Sequence, residues 1–112
     1  MISLGALGGT MSEAFAINNV GQVDGWAHTP ISKHAFLWDE HTGMVDLNTL
    51  MAPGSNFSLL DEAWGINDLG HIVGFGHTLD GEIHAFLMIP EPATLLLLGF
   101  GVLGLLRRSR QV

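Results

Sequence analysis

The chain has no cysteine, so neither a disulfide framework nor a thiol nucleophile is open to it, and cysteine-rich zinc sites are excluded. It is also poor in charge. Asp, Glu, Lys and Arg make up 13% of the sequence, too little for the solvated faces of a helical bundle. Basic side chains are the scarcest of all in the main body: residues 1–90 hold Lys33 alone against ten acidic groups. Without a basic surface to neutralise phosphates, binding of nucleic acid by this body is not expected. No Gly-x-Ser-x-Gly, Walker or His-Glu-x-x-His pattern occurs, so the common signatures of hydrolases, nucleotide-binding proteins and zinc proteases are missing too. What remains is apolar (47%) and rich in glycine (15 residues), a balance that argues against disorder. A length of 112 residues allows one small domain and little else.

The main body repeats itself. Residues 13–38 read EAFAINNVGQVDGWAHTPISKHAFLW and residues 62–88 read EAWGINDLGHIVGFGHTLDGEIHAFLM. With one residue inserted in the second copy, twelve positions are identical, among them Asn18/Asn67, Gly21/Gly70, Gly25/Gly74, His28/His77 and His34-Ala35-Phe36/His84-Ala85-Phe86. Each copy reads as short strands. Ala14–Ile17 is a first strand, and Asn18-Asn19-Val20-Gly21 is a turn in which Asn and Gly are expected to supply left-handed conformations. Gln22–Ala27 returns as a second strand. His34–Trp38, apolar on both faces, is a third and should be interior to its sheet. Met44–Leu50 is a fourth, and the loop Met51–Ser58 separates the units. Four short strands in about fifty residues predict an all-β repeat body, a propeller blade or a related β-repeat, with units at about 4–50 and 51–88. Two units fall short of the roughly three that a repeat array needs to bury a continuous core, and a closed propeller needs about four, so the array is expected to be incomplete. Leu4-Gly5-Ala6-Leu7 resembles Leu47-Asn48-Thr49-Leu50, as if a preceding unit ended there. Met1-Ile2-Ser3-Leu4-Gly5 carries neither a basic stretch nor a long apolar run of the secretory kind. The expectation is therefore a C-terminal piece of a longer protein, or a gene with a misassigned start. The cores INNVGQVDGW and HAFLW, followed by DLNTL, resemble HAF repeats, named for the His-Ala-Phe trio. That resemblance covers residues 4–88 and implies an extracellular bacterial protein.

The last two dozen residues, 89–112, differ from everything before them. Ile89-Pro90-Glu91-Pro92 leads into an uncharged run from Ala93 to Leu106 with seven leucines, including Leu96, together with Phe100 and Val102. Arg107, Arg108 and Arg110 follow. The prolines cannot continue a helix from upstream, so a hydrophobic helix is expected to begin near Pro92 or Ala93 and run to Leu106. Fourteen residues span about 21 Å against a hydrocarbon thickness of about 30 Å, which by length alone fits a buried core helix as well as a membrane segment. Leucine favours insertion, and snorkelling arginines with local thinning can cover the missing length. The positive-inside rule then places the arginines in the cytoplasm as a stop and residues 1–90 outside. Pro-Glu-Pro, a short leucine-rich span and a terminal Arg cluster, in that order, resemble a PEP-CTERM sorting signal. The resemblance implies that the tail is held transiently in the inner membrane and that Pro90, Glu91 and Pro92 are recognised by an exosortase-type transpeptidase. It also implies that the protein is then delivered to the cell surface or beyond, commonly where exopolysaccharide is made.

Other side chains invite chemistry. His28, His34, His77 and His84 could suggest a metal, but repeat-equivalent residues usually do the same structural job in each unit, and hydrogen bonds that fix turns or strand edges are the expected role. Glu13 and Glu62 could form a carboxylate pair of the glycosidase type, yet they too are repeat-equivalent. Asp24 has Val73 as its counterpart and so no acidic partner by symmetry. Trp26, Trp38 and Trp64 could stack on sugar rings if exposed, but are expected to fill sheet interfaces. The sequence therefore predicts a non-enzymatic exported protein without catalytic residues, metal or cofactor. The resemblance of its tail implies an exosortase and the inner membrane as partners, with exopolysaccharide binding as the alternative function.

Overall fold

The two copies of the repeat become two antiparallel sheets in a computed structural model that describes residues 1–90. The first sheet contains β1 (Ser12–Ile17), β2 (Val23–His28), β3 (Lys33–Asp39) and β4 (Gly43–Asp46), side by side in chain order. The second contains β5 (Phe57–Ile66), β6 (Ile72–Thr78) and β7 (Ile83–Met88). Strand by strand, β5, β6 and β7 are the counterparts of β1, β2 and β3. The third strand of the first unit is interior, between β2 and β4, as its two apolar faces require.

Three local expectations need correction. The fourth strand does not run to Leu50. It stops at Asp46, whose side chain accepts a hydrogen bond from the Asn48 backbone N–H and so caps a short 3₁₀ turn over Leu47–Leu50. The loop between units is shorter than Met51–Ser58, because β5 already begins at Phe57. Asparagine does not supply left-handed backbone to the hairpins: among the described residues positive φ occurs only at glycine, including Gly21 and Gly70. Asn18 acts instead through its side chain, its Oδ1 accepting from the N–H groups of Val20 and Gln22, and Asn67 does the same for Leu69 and His71. A short polar side chain can replace backbone partners in a turn without leaving the favoured φ region.

Glycine is demanded at a second pair of positions for a different reason. A Cβ at Gly25 would run into the Glu13 carbonyl oxygen, and one at Gly74 into the Glu62 carbonyl oxygen. The β1–β2 register shifts between Ala14 and Ala16, and β5–β6 shifts between Ala63 and Gly65, so each bulged strand leans over its neighbour at the repeated glycine.

The sheets pack face to face. Ala35 and Leu37 on one face of the first sheet meet Leu60 and Ala63 of β5, Ile72 of β6 and Phe86 of β7, with Leu47 of the 3₁₀ turn closing the cluster. A second cluster lies on the other face of the first sheet, where Val23, Ala27 and Phe36 are covered by Leu4, Ala6 and Leu7. Leu4 and Leu7 thus do for the first sheet what Leu47 and Leu50 do for the second, in keeping with the similarity of the two segments. Each large apolar side chain so buried contributes about 2–3 kcal/mol. Among the described residues no closed barrel or propeller forms, and no helix is long and apolar enough to cross a membrane. The expected hydrophobic helix over Ala93–Leu106 lies outside the described residues.

Candidate functional site

The junction between the sheets is the most elaborated polar region. At its turn end the two hairpins are clamped together. Asn18 Nδ2 donates to the Asn67 carbonyl at 2.9 Å, and Asn19 donates from its backbone N–H and its Nδ2 to the two oxygens of Asp68, each at 2.9 Å. Those bonds, from the Asn19 backbone first and its side chain second, hold the Asp68 carboxyl below the usual carboxylate range. Further along, Lys33 Nζ sits 2.6 Å from Glu62 Oε2, and Trp64 Nε1 donates to Glu62 Oε1 at 2.7 Å. Lys33 also lies over the Trp26 ring, 4.8 Å from its centre.

Asp24 is the anomaly of this junction. It is wholly buried, and neither carboxylate oxygen completes a hydrogen bond. Burial pushes its pKa up to about 7, with the Gly65 backbone N–H opposing weakly. Its counterpart Val73 gave the sequence its only hint that this position belongs in an apolar contact.

The sequence-singled residues are distributed unevenly. The four equivalent histidines do not share one job. His34 Nδ1 is 2.7 Å from Asp46 Oδ2 and His77 Nδ1 is 2.9 Å from Asp61 Oδ1, whereas His28 stacks beside Trp26 and His84 is 3.1 Å from Glu82. Burial raises the Asp46 carboxyl, but the hydrogen bonds from His34 and Asn48 outweigh it and leave that pKa below its ordinary value. Among the described residues, no three His, Asp or Glu side chains gather as a metal site. Glu62 is buried in the junction while Glu13 is exposed, so the repeated carboxylates occupy unlike settings. Trp26 is buried at the junction and Trp38 packs on the second cluster. Trp64 departs from the expectation: it is 59% exposed, with its ring 5.3 Å from Phe15 and 6.5 Å from Phe75.

The second sheet has no counterpart of β4 among the described residues. An apolar cleft of about 430 Å³ runs beside β7, lined among others by Leu47, Leu50, Met51, Phe86 and Met88. In the first sheet the corresponding place is occupied by Met44 of β4, which packs against the cluster of Val23, Ala27 and Phe36. The chain leaves this cleft at Pro90, which also lies beside the Asn67–Gly70 turn: a Cβ at Gly70 would come within 3.5 Å of its Cγ. Of the expected sorting residues, Pro90 alone is described. Glu91, Pro92, Ala93, Leu96, Phe100, Leu106, Arg107, Arg108 and Arg110 lie outside the described residues.

Comparison with known families identifies residues 89–111 as a PEP-CTERM protein-sorting motif. Neither the curated proteins nor the solved structures gave a match to the chain. The motif supports an exported protein whose C-terminal tail is recognised by an exosortase and anchored transiently in a membrane.

Proposed function

We propose that the chain is a non-enzymatic surface or extracellular-matrix protein, exported and then released from a temporary membrane handle by an exosortase. The sorting motif over residues 89–111 carries this reading. A run of about fourteen apolar residues is a poor permanent anchor, and a processed tail does not need to be a permanent one. On the positive-inside rule, Arg107, Arg108 and Arg110 remain in the cytoplasm while residues 1–90 face outward. The resemblance of residues 4–88 to HAF repeats favours the same compartment. A structural or adhesive role is favoured over catalysis because Glu62 is already engaged by Lys33 and Trp64, and Glu13 stands apart from it on the exposed edge.

The test is the intact mass of the mature protein, isolated from a host with and without its exosortase. Loss of the residues beyond the Pro90–Pro92 region in the first host only is the expected result. A full-length mature chain in both hosts would instead establish a single-pass protein that keeps its tail. One observation favours a second reading, an exopolysaccharide-binding module: the exposed rings of Phe15 and Trp64, backed by half-buried Phe75, offer aromatic faces of the kind on which sugar rings stack. Pull-down with the host's exopolysaccharide that is unchanged by Trp64→Ala would dismiss it.

A further inference from the structure

We infer that copies of this chain associate head to tail, repeating between molecules the junction that joins the two sheets within one. The inference is independent of the sorting reading and rests on how the repeat is exposed. In the junction, the face of the first sheet bearing Trp26, Ala35 and Leu37 is covered by β5 through Leu60, Glu62 and Ala63. Each side of that contact has a repeat counterpart, and among the described residues nothing covers either counterpart. On the second sheet, Leu87 is 60% exposed where its counterpart Leu37 is 6% exposed, and Val73 and Ala85 are exposed as well. Val73 pairs with Leu87 and Phe75 with Ala85 across β6 and β7, so these four share one face. On the first sheet, Met11 is 56% exposed where Leu60 is 2% exposed, and Glu13 and Ala14 are exposed where Glu62 and Ala63 are buried. The two described sheets thus display one half of their own internal interface on each outer face.

The chemistry carries over. At the hairpin clamp, the Asp68 N–H and Asn67 Nδ2 of one copy can donate to Asn19 Oδ1 and the Asn18 carbonyl of the next, as Asn19 and Asn18 donate to Asp68 and Asn67 within a chain. Val73 replaces the buried, unpaired Asp24, which removes a cost from the new junction. One position is less favourable: Ile83 stands where Lys33 meets Glu62, so Glu13 gains no cation. A contact of this heterologous kind propagates, closing into a ring or extending as a filament according to the rotation per copy.

The absence of native cysteine makes the test clean. In the full chain in detergent, Ala14→Cys and Ala85→Cys together place thiols at the counterparts of Ala63 and Ala35, which share one core cluster. Within one molecule the two sites lie on opposite outer surfaces, so they can pair only between copies. Mild oxidation is expected to give a ladder of covalent dimers, trimers and higher species. Adding Leu87→Asp, at a side chain already exposed in the single molecule, should cut the ladder about tenfold or more by placing a carboxylate in an apolar contact. Leu79→Asp, exposed but in the β6–β7 turn, should not. Ile83→Lys should strengthen association by restoring the missing cation. The proposal is overturned if the double-cysteine chain stays monomeric. It is equally overturned if the Ala85→Cys chain alone gives dimers as readily, which means symmetric pairing, or if association survives Leu87→Asp, which means the tail drives it.

Discussion

At the scale of single residues, Asp24 is the side chain whose chemistry and surroundings disagree most. Its folded pKa, about 7 against an ordinary 3.8, means that the folded protein holds a proton the unfolded chain releases. Stability contributed by the neutral acid is complete below about pH 4, declines as pH rises towards 7, and is lost above it. Asp24→Asn should therefore change melting little at pH 4 and stabilise at pH 8 by up to about 4 kcal/mol. A gain of equal size at both pH values, in thermal melts of the two proteins, would show that the carboxyl's charge is not the cause. The glycines make a contrasting pair of predictions. Gly74→Ala forces a Cβ onto the Glu62 carbonyl and should cost about 3 kcal/mol. Gly65→Ala meets only the end of the Val73 side chain, at 3.2 Å, and its repeat counterpart is already Ala16, so it should be close to neutral. Urea denaturation of both variants checks the contrast. The repeat made Gly25 and Gly74 visible in the sequence, but not why glycine is needed, since the obstructing carbonyl belongs to another strand.

At the scale of elements, the segment Asp46–Leu50 shows how a local pattern misleads. Its apolar residues read as a strand, yet Asp46 turns it into a 3₁₀ cap and Asn48 ties it to the second sheet. Asn48 Oδ1 accepts from the Leu60 N–H at 2.8 Å and its Nδ2 donates to the Leu60 carbonyl at 3.0 Å, replacing strand partners that β5 lacks there. Asn48→Ala leaves two backbone groups without those bonds and should cost about 1–3 kcal/mol in urea titration. Faster hydrogen exchange at the Leu60 amide is the local sign to look for. The strands themselves were legible because the alternation and the turn residues are local signals. The tether was not, because its two ends are twelve residues apart and meet only after the sheets pack.

At the scale of the whole molecule, the body and the tail meet without a spacer: β7 ends at Met88 and the sorting motif begins at residue 89. The Pro-Glu-Pro therefore starts at the rim of the open cleft, within two residues of folded structure. Replacing Pro90, Glu91 and Pro92 together by alanine should leave the tail attached, read as a mature mass that keeps all residues through Val112, while the melting of the body is unchanged. Processing that continues at the wild-type level in this variant would remove Pro-Glu-Pro from the recognition step.

The amino-acid sequence by itself determined the repeat, most of the strands, the hairpin turns and the tail, because each is written in neighbouring residues: alternation, turn chemistry and an uninterrupted apolar run. Only the tertiary structure decided which copies of the repeated residues are buried. Ala35 and Ala85, or Glu13 and Glu62, are identical letters with opposite fates, since burial depends on whether another sheet lies against that face. The same packing decided that Asp24 lies unpaired in the junction and that the histidines take different partners. A repeat fixes what each unit can offer its neighbour; the neighbours present fix which offers are taken up, and among the described residues one junction is filled while the equivalent faces on the outer sides stay exposed.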